Sequence, residues 1–171
     1  MKRFLALISL LAAMIYLQSA PISPQTHAIV MLIAEAQGVP QSVADRLQIE
    51  ESGDRYTGTW GDAHAHGPLT TEGYRSYGLF GLYMKPSNIA WLLKMFFPHP
   101  PETFDIFDPI QNAVVGLGYM HWLHDIFGNW YDAACAYNAG RSYVQSGAVA
   151  REGRFAGTRA YARRIVEARA P

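Results

Sequence analysis

Two adjacent carboxyl groups, Glu50 and Glu51, are the residues of this chain best suited by position to acid–base chemistry. They close a short helical pattern. Pro40 opens it, Ser42 lies in its first turn, and Val43, Ala44 and Leu47 follow at helical spacing as a narrow apolar face. Gly53 is a natural stop, expected in the left-handed conformation that glycine accepts after a helix. Glu51 lies four residues beyond Leu47 and is therefore expected at the edge of the buried face. Burial strips water from a carboxylate and raises its pKa. A carboxyl group with a pKa of ~6 still holds a proton near neutral pH and can donate it to a leaving oxygen. Periodicity does not choose between the two, since Glu50 lies on the opposite edge of the same face. Both also oppose the helix dipole, a local cost of the kind found at functional sites. The residues leave a plainer reading open, in which both carboxylates are solvated at a helix end.

Other groups could carry chemistry of a different kind. His64 and His66 form a His-x-His pair, and His121 and His124 share a helical turn within an apolar stripe. A zinc site usually needs three or four ligands in defined geometry. No cysteine cluster or His-Glu-x-x-His pattern supplies them, so these histidines read as structural and no metal or other cofactor is expected. Cys135, the single cysteine, sits at a small apolar helical position and reads as core. It cannot form an internal disulfide and so does not report on compartment. Trp91, Trp122 and Trp130 likewise read as core. The 14 basic residues balance the 14 acidic ones, so total charge gives no argument for a nucleic-acid partner. Arginines do crowd the C-terminal part, from Arg141 to Arg169. They make either a basic face that could attract an anionic polymer or a solvated helix face.

The elements that must position these groups are mainly helical. The 171-residue length suits one domain with a real core. Lys2 and Arg3, an apolar run from Phe4 to Leu17 and then Gln18-Ser19-Ala20 have the layout of a secretory signal, cleaved or kept as an N-terminal anchor. Residues 1–20 are assigned to that segment, 21–27 to a linker and 28–171 to the domain. Thr26 is a candidate cap for a helix with Ile29, Val30, Ile33 and Ala34 on one face. Gly38-Val39-Pro40 leads from it into the helix of Glu51. From Gly53 to Arg75 periodicity disappears, and Tyr56, Trp60, Tyr74 and several glycines suggest a long loop or a small β-hairpin beside a cleft. Its rings would stack on sugars or close a satellite core. Ser76 to Lys85 is glycine-rich and apolar. A helix after Lys85-Pro86-Ser87 carries Ile89, Leu92, Leu93 and Phe96 at core spacing. Asp108-Pro109 starts a long helix ending at Phe127-Gly128, with a stripe of Ile110, Ala113, Val114, Leu117 and Met120. Trp130 to Tyr137 is a short helix broken by Asn138-Ala139-Gly140. The remainder is helical in two pieces, the second from near Thr158 with Tyr161, Ile165 and Val166 on one side.

Four motifs in this order resemble a known family. They are Glu51-Ser52-Gly53, Ser76-Tyr77-Gly78-Leu79-Phe80-Gly81-Leu82, Ala136-Tyr137-Asn138-Ala139-Gly140 and Thr158-Arg159-Ala160-Tyr161. They look like the motifs of the SLT-type lytic transglycosylase domain of the lysozyme-like superfamily, and the resemblance runs from about Thr26 onward. It implies a mainly α, lysozyme-like fold. It also implies cleavage of peptidoglycan between N-acetylmuramic acid and N-acetylglucosamine, with formation of a 1,6-anhydro sugar and no consumption of water. By motif position Glu51 would be the single acid and base. Ser76 would help hold substrate, Tyr137 and Asn138 would line the cleft, and Tyr161 would hydrogen-bond the carboxyl or the developing charge. The family's Gly-Leu-Met-Gln lacks its glutamine here. One register puts Met84 at that place, another Gly81, and Tyr83 is the candidate replacement. The resemblance further implies a monomer working in the periplasm or outside the cell, with an envelope-spanning secretion or conjugation apparatus as a further partner. A lysozyme-type hydrolase would need a positioned water and usually a second carboxylate, for which Asp54, Asp62 and Glu72 are nearest. A catalytically weak peptidoglycan-binding assembly factor is the other alternative.

Overall fold

The computed structural model describes residues 21–97 and 101–167. The expected export segment, residues 1–20, lies outside the described residues, as do 98–100 and 168–171. The first helix, α1 (Pro24–Ala36), begins earlier than expected. Ser23, not Thr26, is the cap, and its Oγ accepts from the Thr26 N–H at 3.1 Å. Pro24 fits the first turn because its missing N–H would have had no helical partner there. The expected linker is therefore folded. The Ile22 N–H donates to Gly61 O at 3.0 Å, and Ile22 is buried. The core face of α1 is Val30, Met31 and Ala34, whereas Ile29, expected inside, is 46% exposed.

Helix α2 (Gln41–Ser52) buries Val43, Ala44, Leu47 and also Gln48. It ends at Gly53 with extended backbone (φ −94°, ψ −169°), not with the expected left-handed turn. Glycine is needed there for another reason: an added Cβ would lie 2.5 Å from Thr59 O, where the chain returns against the helix end. The long segment that follows forms turns and isolated bridges, Asp54 with Thr59, His66 with Tyr77 and Arg75 with Met84. It is the loop of the two alternatives. Its first half packs against α1 and α2. Trp60 stacks on His27, centroids 3.9 Å apart, and His27 Nε2 bonds Asp45 Oδ1 at 2.8 Å.

After a turn of 3₁₀ helix (Pro86–Asn88) comes α3 (Ile89–Phe96), which fully buries only Leu92 of its expected stripe. Helix α4 (Pro109–Phe127) is the central element. Asp108 Oδ1 accepts from the N–H groups of Ile110 and Gln111 at 2.9 and 2.8 Å, a cap of the kind worth ~1 kcal/mol. Gly128 (φ +71°) ends the helix. Ala113, Leu117 and Met120 are buried as the stripe required, and Asn112, Val115, Gly116 and Leu123 join them because α1, α3 and α5 cover several sides. Helix α5 (Trp130–Ala139) runs through Asn138 rather than breaking there. Its Ala133, Ala134, Cys135 and Ala136 are all at 0% exposure. Their small size lets α5 pack closely against both α4 and the last helix. The C-terminal part holds α6 (Arg141–Gln145), α7 (Ala148–Arg151) and α8 (Ala156–Val166), more pieces than expected. Helix α8 buries Thr158, Tyr161, Ala162 and Ile165 against α2 and α5. Several C-terminal arginines hold the fold rather than form one open basic face. Arg159 donates to Glu152 O at 3.0 Å, and Arg164 pairs with Glu50.

Candidate active site

At about 100° per residue, Glu51 falls between Ala44 and Leu47 on α2, in the middle of the buried stripe and not at its edge. Its carboxyl group reaches the floor of a cleft of about 680 Å³. The Tyr161 hydroxyl, brought in by α8, donates to Glu51 Oε1. On the other side the chain passes so close at Gly81 that an added Cβ would lie 2.2 Å from Glu51 Oε2, and the backbone there has φ +55°. Both the space and the conformation require glycine. Burial pushes the Glu51 pKa up to about 7, the Tyr161 hydrogen bond pulls against that rise, and the charge of Glu50 adds to it. Burial first, and then the Glu51 charge, drive the hydroxyls of Tyr161 and Tyr137 well above the usual tyrosine range, so both remain neutral donors.

Glu50 ends in different surroundings. Arg164 binds it with both ends of the guanidinium fork, at 2.7 and 2.8 Å. The choice that periodicity left open is made by α8, which presents a tyrosine to one carboxyl and an arginine to the other.

The turn from Tyr77 to Leu82 is fastened to the helices from three directions. Ser52, the residue after Glu51, donates to Leu79 O at 2.7 Å. Tyr137 donates to Phe80 O at 2.7 Å. Buried Asn112 accepts from the Phe80 N–H at 2.8 Å and donates to Tyr77 O at 3.2 Å and Ile106 O at 2.8 Å. Each buried backbone group thereby gains a partner, which fixes the position of Gly81 against the carboxyl. The role of Asn112 was not read from the sequence. Its only signal is a polar residue one place before Ala113 and three before Val115, on the apolar side of the helix.

Of the residues singled out in the sequence, Glu51, Ser76, Tyr83, Tyr137 and Asn138 all line the cleft. Tyr161 does not. It is 6% exposed and lies behind the carboxyl, which leaves it no surface for substrate. Tyr83 is 60% exposed and stacks on Tyr74 of the long loop, centroids 5.3 Å apart. Of the two places considered for the family's glutamine, position 81 has no room for a side chain, while Met84 lines the cleft. Trp60 faces α1, away from the cleft. The expectation that Trp91 is a core residue is corrected, while Trp122 packs against the core on one side as expected. Both line the cleft, with Tyr119 beside them, and Trp91 is 53% exposed. Trp91 precedes Leu92 and falls outside the stripe of α3, a signal the sequence did contain. Asp54, Asp62 and Glu72 do not line the cleft, and Asp54 and Asp62 accept from backbone N–H groups of their own turns.

No curated protein sequence matches the chain. Among solved structures it is similar to the 70-kDa soluble lytic transglycosylase SLT70 of Escherichia coli, with a TM-score of 0.60 and 22% identity over 81% of this chain. The complex of the 70-kDa soluble lytic transglycosylase with bulgecin A matches with the same values. The match spans 22% of those longer chains, and the likeness is one of fold. Residues 29–156, which hold three of the four motifs whole together with the clasped turn and the cleft, match the transglycosylase SLT domain, and the chain belongs to that family.

Proposed function

We propose that the protein is a peptidoglycan lytic transglycosylase that cleaves the β-1,4 bond from N-acetylmuramic acid to N-acetylglucosamine with Glu51 as its only acid and base. The observation that carries this is a buried carboxyl group, its pKa raised to about 7, on the floor of a cleft where, among the described residues, no second carboxylate lines the wall. Protonated Glu51 donates to the bridging oxygen as the bond to the anomeric carbon breaks. The sugar becomes oxocarbenium-like. The resulting Glu51 carboxylate, held by the Tyr161 hydroxyl, then takes the proton from the sugar's own 6-hydroxyl. That oxygen closes on the anomeric carbon, giving the 1,6-anhydro end and returning Glu51 to its starting state. Ser76, Asn138 and the exposed ring of Tyr83 bind the strand on either side. Tyr137 holds the Phe80 carbonyl and so keeps the clasped turn in register. Its place of work is outside the cytoplasm, with residues 1–20 as export signal or anchor.

A hydrolase of the usual kind sets two carboxyl groups about 5–9.5 Å apart across the bond. The lining of this cleft favours the single-acid route. Purified cell walls test the proposal directly. The wild-type protein should clear their turbidity and release products lighter by one water than those of a muramidase. Products with reducing ends would show hydrolysis instead. Wall binding without clearing by the wild-type protein would leave only a binding factor.

A further inference from the structure

Among the described residues, two charged ones line the cleft, Glu51 and Arg141. Arg141 follows Gly140, whose positive φ (+96°) turns the chain out of α5. Its guanidinium carbon lies 5.2 Å from the centroid of the Trp122 ring, an arrangement in which the ring face attracts the cation and orders it. Trp122 in turn stacks on Tyr119, centroids 5.6 Å apart. The Tyr119 hydroxyl feels the cation: burial raises its pKa and Arg141 pulls it back.

Five of the other arginines have acceptors within the fold. Arg46, Arg151 and Arg159 donate to backbone carbonyls, and Arg154 and Arg164 pair with glutamates. Among the described residues, no carboxylate or carbonyl accepts from Arg141, and the residue is exposed, so its donor fork is ordered by a ring and open to a ligand. Such a fork matches the two oxygens of a carboxylate.

We infer that Arg141 receives a carboxylate carried by the bound glycan, so that the cleft prefers acid-bearing strands to a neutral strand of the same backbone. This rests on the peptidoglycan reading above. Peptidoglycan offers the carboxylate in two forms, the lactyl group of muramic acid where the peptide has been removed, and the peptide stem where it is attached. A chitin oligomer has the same β-1,4 backbone and neither.

The test is binding by the full chain carrying Glu51→Gln, which removes turnover, with and without Arg141→Ala. The ligands are chitohexaose, peptide-free peptidoglycan strands and stem-bearing strands. Arg141→Ala should weaken the acid-bearing ligands about tenfold and chitohexaose less than about twofold, a contrast set by the strength of a charge-assisted hydrogen bond. Arg141→Lys should recover part of the loss. Added salt should weaken acid-bearing ligands alone, and only while Arg141 is present. Loss on the peptide-free strands alone assigns the contact to the lactyl carboxylate, loss on the stem-bearing strands alone assigns it to a stem carboxylate, and loss on both shows that Arg141 takes whichever of the two is present. An equal effect on all three ligands, or none, overturns the inference while leaving the glycan cleft standing. Failure of the Glu51→Gln protein to bind any of the three overturns the peptidoglycan reading as well.

Discussion

The outer flank of α2 and its inner face differ by one residue of sequence and carry opposite electrostatics. On the flank, Glu50 meets a guanidinium, and its side chain is 7% exposed and held at both oxygens by Arg164. On the inner face, Glu51 meets a neutral hydroxyl and the backbone at Gly81, and burial lifts its pKa to about 7. Burial alone therefore does not make an acid. A cation beside a buried carboxyl favours its charged form, whereas a carboxyl buried without one is pushed by desolvation towards its protonated form. The pair is a built-in control, because both residues lie in the same helical turn and both contact α8.

Exchanging the acids should give the largest contrast. Glu51→Gln should lower wall clearing by roughly 10³-fold or more, as loss of a general acid does, while Glu50→Gln stays within a few-fold of wild type. Similar losses for both would break the comparison. Gly81→Ala comes next. Its Cβ would push on Glu51 Oε2 in a left-handed backbone, and a displaced carboxyl should cost roughly 10²-fold in clearing rate. A lowered melting temperature should accompany it.

Tyr161→Phe removes the hydrogen bond that favours the carboxylate and should slow clearing by roughly tenfold or more. Its sharper signature is in the pH profile. In the proposed mechanism cleavage starts from protonated Glu51, so activity should fall as pH rises through about 7. Without Tyr161 the Glu51 pKa rises, and the fall moves to higher pH. Glu50→Gln removes a repelling negative charge, lowers the Glu51 pKa and moves the fall the other way. Shifts of the same sign in the two variants would contradict the electrostatics of the site.

Stability carries the same signature more weakly. Glu51 holds its proton up to about pH 7 when folded, whereas its ordinary value is 4.5. Between those values the folded chain binds the extra proton, so stability is fully present below pH 4.5 and declines as pH rises to about 7. The loss is of order 3 kcal/mol. Melting curves of Glu51→Gln against wild type should therefore diverge on the alkaline side, with the variant the more stable. Glu50→Gln should have the smallest effect, a destabilisation of about 1 kcal/mol or less, because Arg164 is 40% exposed and water screens the pair.

Much of the helical framework was legible because its signals are local. Asp108-Pro109 and Gly128 marked both ends of α4, and the spacing of Ala113, Leu117 and Met120 marked its buried side. Local signals also misled. Thr26 resembled a cap, but Ser23 lies where the chain enters the helix. Gly53 resembled a left-handed stop, but it was required by a close return of the chain. Trp60 and Trp91 are both aromatic, yet one stacks on His27 and the other lines the cleft, a difference set by the path of the long loop and by which side of α3 faces the cleft.

By itself the sequence determined the helix punctuation, the apolar stripes and the ordered motifs that set Glu51 beside Ser76, Tyr137 and Asn138 as candidates. Only the tertiary structure decided which carboxyl is the acid candidate, that Asn112 clasps the turn and that Arg141, ordered on the Trp122 ring, has no hydrogen-bond acceptor among the described residues. Those outcomes depend on groups from remote parts of the chain, such as Tyr161 and Arg164 against α2. Periodicity records which side of an element is buried, and it contains no information about which distant side chain will be buried against it.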